Sequence, residues 1–211
     1  MSAGFGEVLR LLHDDVGRSY TAAALSCGRG GQLLCASAGA ADTSTVFDLA
    51  SLTKALCTSL LCMRLVDAGR LDLDEAVLPG VSVRALLGHY SGLPAWQPLF
   101  SDAQDRRQVV ARAAQAERRP VGEKVVYSDL GYILLGDFLE QRLGERLDGA
   151  FWQLSAALGI EIGFRPIDYA AHAVPVLRCA PTRREHAERE LLRGVVHDDN
   201  ARAMLGVAGH A

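Results

Sequence analysis

Residues 47–56 read FDLASLTKAL. The chain has 20 Arg but only two Lys, and one of them, Lys54, stands three residues after Ser51 at the head of an apolar run. Residues three apart on a helix share a side, so the hydroxyl and the amine can meet. A serine hydroxyl is a weak nucleophile until a neighbouring base takes its proton. A lysine held in a dry pocket can be that base, or a cation that stabilises another one. Ser51 also lies at a helix N-terminus, where the dipole favours developing negative charge. The ordinary alternative is a serine that only caps a helix. With 12 Ser and 2 Lys in 211 residues, about 0.1 such pairs arise by chance, so the pair is informative but short.

The helix that begins here is expected over about 52–68, with Leu56, Leu60, Met63 and Val66 on one face and Gly69 as its stop signal. Upstream, SYTAAALS and QLLCASAG predict strands over 20–27 and 32–38, joined by a turn that uses Gly28, Gly30 and Gly31. No helix follows those glycines and no Lys-Ser/Thr pair closes them, so they do not form a phosphate loop. The first residues, MSAGFGEVLRLLHDD, repeat apolar side chains at helical spacing and carry Glu7 where a secretory leader carries base. An amphipathic helix and a cytoplasmic location are the expectation.

Downstream, SVRALLGHYSGLP predicts a short helix ending in a Gly/Pro turn, and residues 102–118 a charged, mostly solvated helix. YSDLGYILLGDFLEQRLG reads as a loop entering a buried helix with Leu130, Ile133, Leu134 and Phe138 inward, and Asp148 as the cap of another helix through about Ala157. Residues 160–182, with Pro166, Pro175 and Pro181, are expected to be irregular. RREHAERELLR is expected to be a solvated, ion-paired helix or loop.

Apolar residues make up 49% and charged residues 22%, the balance of a soluble domain. A net charge of -3 gives no electrostatic reason for nucleic acid or an anionic membrane as partner. No apolar run is long enough to span a bilayer. The five cysteines are odd in number, and Cys27, Cys57 and Cys62 sit in apolar surroundings, which predicts buried free thiols. Cys57 and Cys62 diverge on one helix, and none of the six His has ligand spacing, so no metal is expected.

Three ordered segments, FDLASLTK, LLGHYSGLP and VYSDLGYILLGDFLE, together resemble those of the serine β-lactamase and penicillin-binding protein superfamily, nearest to its class C-like serine hydrolases. The likeness covers about 46–143, and GVVHDDNARAMLGVAGHA extends it within 176–211. The resemblance implies an α/β fold with a helical region and an antiparallel sheet, of which this chain carries only the N-terminal strands. It implies one domain over 1–211, lacking its C-terminal part. Ser51 is implied as the acyl-accepting nucleophile, Lys54 as its activator and Tyr127 as a general acid/base. His89 is expected to be structural, in the loop beside the site. No cofactor is implied.

Two departures matter. The family's Tyr-x-Asn is here Tyr127-Ser128-Asp129, and an ionised Asp only accepts hydrogen bonds where Asn also donates. Directed at Lys54, Asp129 would keep it charged and would set negative charge where a β-lactam carboxylate lies. It is therefore a candidate substrate-binding residue that disfavours such substrates. The third motif, Lys-Thr-Gly or His-x-Gly, is absent, and GVAGHA with His210 resembles an earlier segment instead. The expected function is serine-dependent hydrolysis of an ester or amide. The rivals are a β-lactamase or D,D-peptidase, and a remnant without catalysis. An unpaired sheet edge predicts a possible homo-oligomer.

Overall fold

In the computed structural model, which describes residues 3–103, 105–164, 174–183 and 191–204, two successive glycines make the first turn. Gly30 (φ +59°) and Gly31 (φ +79°) both occupy the left-handed region, which a two-residue hairpin turn requires. They join β1 (Ala22–Arg29) to β2 (Gln32–Gly39) in antiparallel register, Arg29 opposite Gln32 and Ala22 opposite Gly39. Gly28 is not part of the turn as the sequence suggests; it lies in β1 opposite Leu33. Tyr20 stays outside the strand, since it bridges Val16 and its hydroxyl donates to the Leu12 carbonyl at the end of α1 (Ala3–Asp14). Among the described residues the ladder has two strands only. Side chains on such a ribbon have little cover, and Cys27, expected to be buried, is exposed.

The hairpin belongs to one compact unit, Met1–Asp48 with Pro166–Val195; the other is Leu49–Arg165 with Val196–Ala211. In the first, Val46 bridges Cys179 in parallel, and the Arg178 guanidinium donates to the Ser44 carbonyl. The stretch expected to be a solvated helix or loop starts and ends in strand instead. Here β5 (Thr182–Arg183) pairs with β6 (Leu191–Leu192). Residues 184–190 lie outside the described residues, as do Pro166 and His210.

The second unit holds one apolar core. A π-helical segment, Lys54–Ser59, runs into α2 (Leu60–Asp67), and Gly69 (φ +65°) comes just after. The buried side is Cys57, Leu61, Cys62 and Leu65, whereas Met63 and Val66 are exposed. A stripe drawn at constant α spacing misplaces them because the wider π turn adds a residue and rotates the rest of the helix by about 100°. Beyond it lies a short hairpin that the sequence pattern did not signal, β3 (Ala76–Leu78) with β4 (Val81–Ser82). The Ser82 hydroxyl then caps α3 (Val83–Leu87) by accepting from the Ala85 N–H.

The charged helix α4 (Arg106–Gln115) is less solvated than its composition suggests, since Val109 and Ala113 are fully buried and Arg106 pairs with Glu140 at 2.7 Å. Glu140 lies on α5 (Asp129–Leu143), which ends at Gly144 (φ +75°) and buries Leu130, Ile133, Leu134, Leu135 and Leu139. Next comes α6 (Leu147–Leu158), where Asp148 sits in the first turn rather than at the cap, buried and paired with Arg146 at 3.1 Å. Asp198 caps α7 (Asp199–Ala203). The Asn200 side chain of α7 accepts from the Phe100 N–H and donates to the Gln97 carbonyl, pinning that loop.

Two loops of this unit run side by side. The Arg119 N–H donates to the Gly92 carbonyl (3.0 Å), Gly122 to Tyr90 (2.9 Å), Val126 to His89 (2.8 Å) and Asp129 to Ala95 (2.9 Å). Gly92 (φ +82°) permits this approach, because a Cβ there would stand 2.1 Å from the Arg119 carbonyl oxygen. Gly92→Ala is expected to lose about 2–4 kcal/mol of stability in urea titration, from backbone strain and the clash together. Gly69→Ala, with positive φ but open space, should lose about 1 kcal/mol. Equal losses would show that the loop contact does not matter.

Candidate active site

The residue before Ser51 sets the geometry. Ala50 has φ +45°, a left-handed conformation that costs a non-glycine residue about 1–3 kcal/mol and is held only by its surroundings. The chain turns there, and the Thr53 N–H returns to the Ala50 carbonyl (3.1 Å) and the Lys54 N–H to the Ser51 carbonyl (3.1 Å). Ser51 is thus left at the first turn of the helix, half-buried. Lys54 opens the π segment, and the Ser59 hydroxyl donates to its carbonyl at 2.8 Å. The side chain of Lys54 is 6% exposed.

The ammonium of Lys54 donates to Ser51 Oγ at 3.1 Å. It also contacts the Asp129 carboxylate at 2.7 Å. Two phenol rings complete its surroundings, those of Tyr127 (4.9 Å to the centroid) and Tyr132 (5.5 Å), a distance at which a ring face attracts a cation. The four residues singled out in the sequence, Ser51, Lys54, Tyr127 and Asp129, therefore meet around one nitrogen. Tyr127 is 52% exposed, so its ring is open to an incoming molecule.

The tyrosine loop is held from beneath. Ser128 is buried; its hydroxyl donates to the Pro94 carbonyl (2.7 Å) and accepts from the Gly131 N–H (3.1 Å), capping α5. Ser128 N–H donates to His89 Nδ1 at 3.1 Å, and the His89 ring packs on Tyr127 (4.4 Å between centroids) and on Tyr132 (5.1 Å). Burial, then the Lys54 charge, push the His89 imidazole below the ordinary histidine range, against the pull of Asp129. Burial raises the Tyr132 phenol, and its hydroxyl donates to the Leu87 carbonyl (3.3 Å).

Ala50, Ser128 and Tyr132 were not found from the sequence. Ser128 had a signal, as a Ser-x-x-Gly at the start of a helix can cap it; Ala50 had none, since alanine gives no warning of a positive φ.

Nearby thiols are unsuited to attack. Burial raises the Cys57 thiol, and pushes that of Cys62 up to about 12, so neither supplies thiolate near neutral pH. Among the described residues no three His, Cys, Asp or Glu side chains gather into a metal-ion site, and no helix is long and apolar enough to cross a membrane.

The chain has relatives among known proteins. The family model described as Beta-lactamase matches residues 10–161. The chain is 32% identical to the N-acetylmuramyl-L-alanine amidase of Bacillus subtilis (strain 168), covering 80% of this chain and 46% of that protein. It is 29% identical to a putative D-alanyl-D-alanine carboxypeptidase of Escherichia coli (strain K12), covering 81% and 48%. It thus spans about half the length of these curated relatives. The fold matches that of the D-amino acid amidase from Ochrobactrum anthropi SV3 with a TM-score of 0.74 at 24% identity, over 97% of this chain and 65% of that one. The fold is accordingly β-lactamase/transpeptidase-like.

Removing one member of the Lys54–Asp129 pair takes from the other a counter-charge 2.7 Å away. Breaking a fully buried pair costs roughly 3–5 kcal/mol; with Asp129 22% exposed, Lys54→Met is expected to lose about 2 kcal/mol by chemical denaturation. Adding Asp129→Asn should return at least about 1 kcal/mol. Strictly additive losses would mean that the two groups are not coupled.

Proposed function

The chain belongs to the β-lactamase family, and from that premise we propose that it is a serine hydrolase that opens an ester or amide through an acyl intermediate on Ser51. The observation that supports this reading above the others is the 3.1 Å contact between Lys54 Nζ and Ser51 Oγ. In the proposed reaction Tyr127, reacting as its phenolate, takes the Ser51 proton as Oγ bonds to the substrate carbonyl carbon. The proton passes to the departing alcohol or amine as its bond to that carbon breaks. Water, deprotonated by the same group, then releases the acid and restores Ser51. Lys54 contributes positive charge beside Ser51 Oγ and over the Tyr127 ring. An amide or peptide is the favoured substrate class, in line with the named activities of relatives.

Asp129 distinguishes this reading from a β-lactamase acting on anionic substrates. Its carboxylate lies against Lys54, so it offsets a cation that would otherwise attract a substrate carboxylate.

A fluorophosphonate probe should label the protein at Ser51, read by intact mass and peptide mapping. Ser51→Ala and Lys54→Ala should abolish labelling, and Tyr127→Phe should slow it by about 10²–10³. Labelling that survives Ser51→Ala would place the nucleophile elsewhere. A parent chain that does not label would instead support the non-catalytic remnant.

Asp129→Asn should improve acylation by an anionic β-lactam about tenfold and leave a neutral p-nitrophenyl ester nearly unchanged. Equal change on both substrates would give Asp129 an architectural role, not one in substrate charge.

A further inference from the structure

Both backbone N–H groups that flank Tyr127 are held by one residue. The Val126 N–H donates to the His89 carbonyl (2.8 Å), and the Ser128 N–H donates to His89 Nδ1 (3.1 Å). The His89 ring lies on the Tyr127 ring as well. His89 itself has φ +58°, a conformation that costs a non-glycine residue energy and persists where something holds it. Three separate contacts and a strained backbone thus converge on the segment that presents Tyr127.

We propose that His89 is a positioning residue that sets Tyr127 against Lys54 and Ser51 while its imidazole is neutral, and lets it go when the ring is protonated. The proposal rests on the role given to Tyr127 above. Only neutral imidazole with a bare Nδ1 can accept from the Ser128 N–H; imidazolium carries a proton on both nitrogens, so two donors would face each other. The groups around the ring weight the same way. Lys54, at the start of the helix, opposes protonation, as burial does; Asp129, on α5, favours it more weakly. Tyr127 and Tyr132 present ring faces. The neutral form is therefore the one the fold selects. The shift is downward, so the bond is intact above the ordinary histidine value of about 6.5 and is lost as pH falls through the lowered one.

The decisive variant is His89→Asn. Asparagine tolerates positive φ, carries an acceptor for the Ser128 N–H and does not titrate. The rate of Ser51 labelling by a neutral fluorophosphonate is measured from pH 4.5 to 8.5. The parent should show an acid limb below pH about 6.5. His89→Asn should label within about threefold of the parent at pH 8 and lack that limb. His89→Phe, which keeps a ring and loses the acceptor, should be slowed at least about tenfold at every pH. A limb retained in His89→Asn, or a Phe variant as fast as the parent, overturns the proposal.

If the parent chain does not label at Ser51, the reaction assigned to it fails and NMR decides the role of His89 alone. A protonated Nδ1 at neutral pH, or Tyr127 and Ser128 amide shifts that ignore the His89 titration, overturns it. A bare Nδ1 with both amides following the imidazole supports it.

Discussion

Everything in the second unit that bears on chemistry is arranged around one ammonium group. Lys54 Nζ lies within 3.1 Å of a hydroxyl and 2.7 Å of a carboxylate. Charge cannot be buried without partners except at a cost of several kcal/mol, so a lysine this enclosed demands its neighbours. The serine arrives from a strained turn at Ala50, the carboxylate from the first residue of α5, and the aromatic rings from the loop before α5 and its first turn. These pieces come from two stretches of sequence, 50–54 and 127–132, and the lysine is the place at which their local structures have to agree.

The agreement is arranged by backbone, not by side chains alone. Four main-chain hydrogen bonds fasten residues 89–95 to 119–129, and the Ser128 hydroxyl adds a fifth contact at Pro94. Those bonds tie the segment that carries Tyr127 and Asp129 to residues 89–95.

The parts legible in the sequence are those where local chemistry and tertiary structure coincide. The Gly30-Gly31 turn announces its hairpin because few residues tolerate two consecutive positive φ angles. The helix at 129–143 stops at a glycine, and Leu130, Ile133 and Leu134 could be read as inward, whereas Phe138, also expected inward, is half-buried and Leu135 and Leu139 are buried unannounced. The meeting of Ser51 with Lys54 follows from helical spacing. The convergence of Tyr127 and Asp129 on that pair did not follow from spacing, and entered through likeness of motif. Other features were hidden because their cause lies in contacts. Ala50 looks like any alanine, and β3 with β4 is too short for alternation to register. Met63 and Val66 match a helical stripe and still face outward, since the stripe assumes a constant turn.

That inconstant turn makes residue count a property of the site. The π segment at 54–59 holds one more residue per turn than the helix it feeds. Losing one of those six, with the rest relaxing into ordinary α geometry, the more favourable form in isolation, would leave Ser51 aimed as before, since an α turn spans the same arc with one residue fewer. Relaxing all six into that geometry would instead swing the serine end by about 100° about the axis against Leu61 and Leu65. The aim of Ser51 therefore depends on length and winding together. A substitution that raises helix propensity enough to remove the π turn moves the serine as surely as an inserted residue would. The segment behaves as a gauge block, whose fit is set by the pairing of length with pitch.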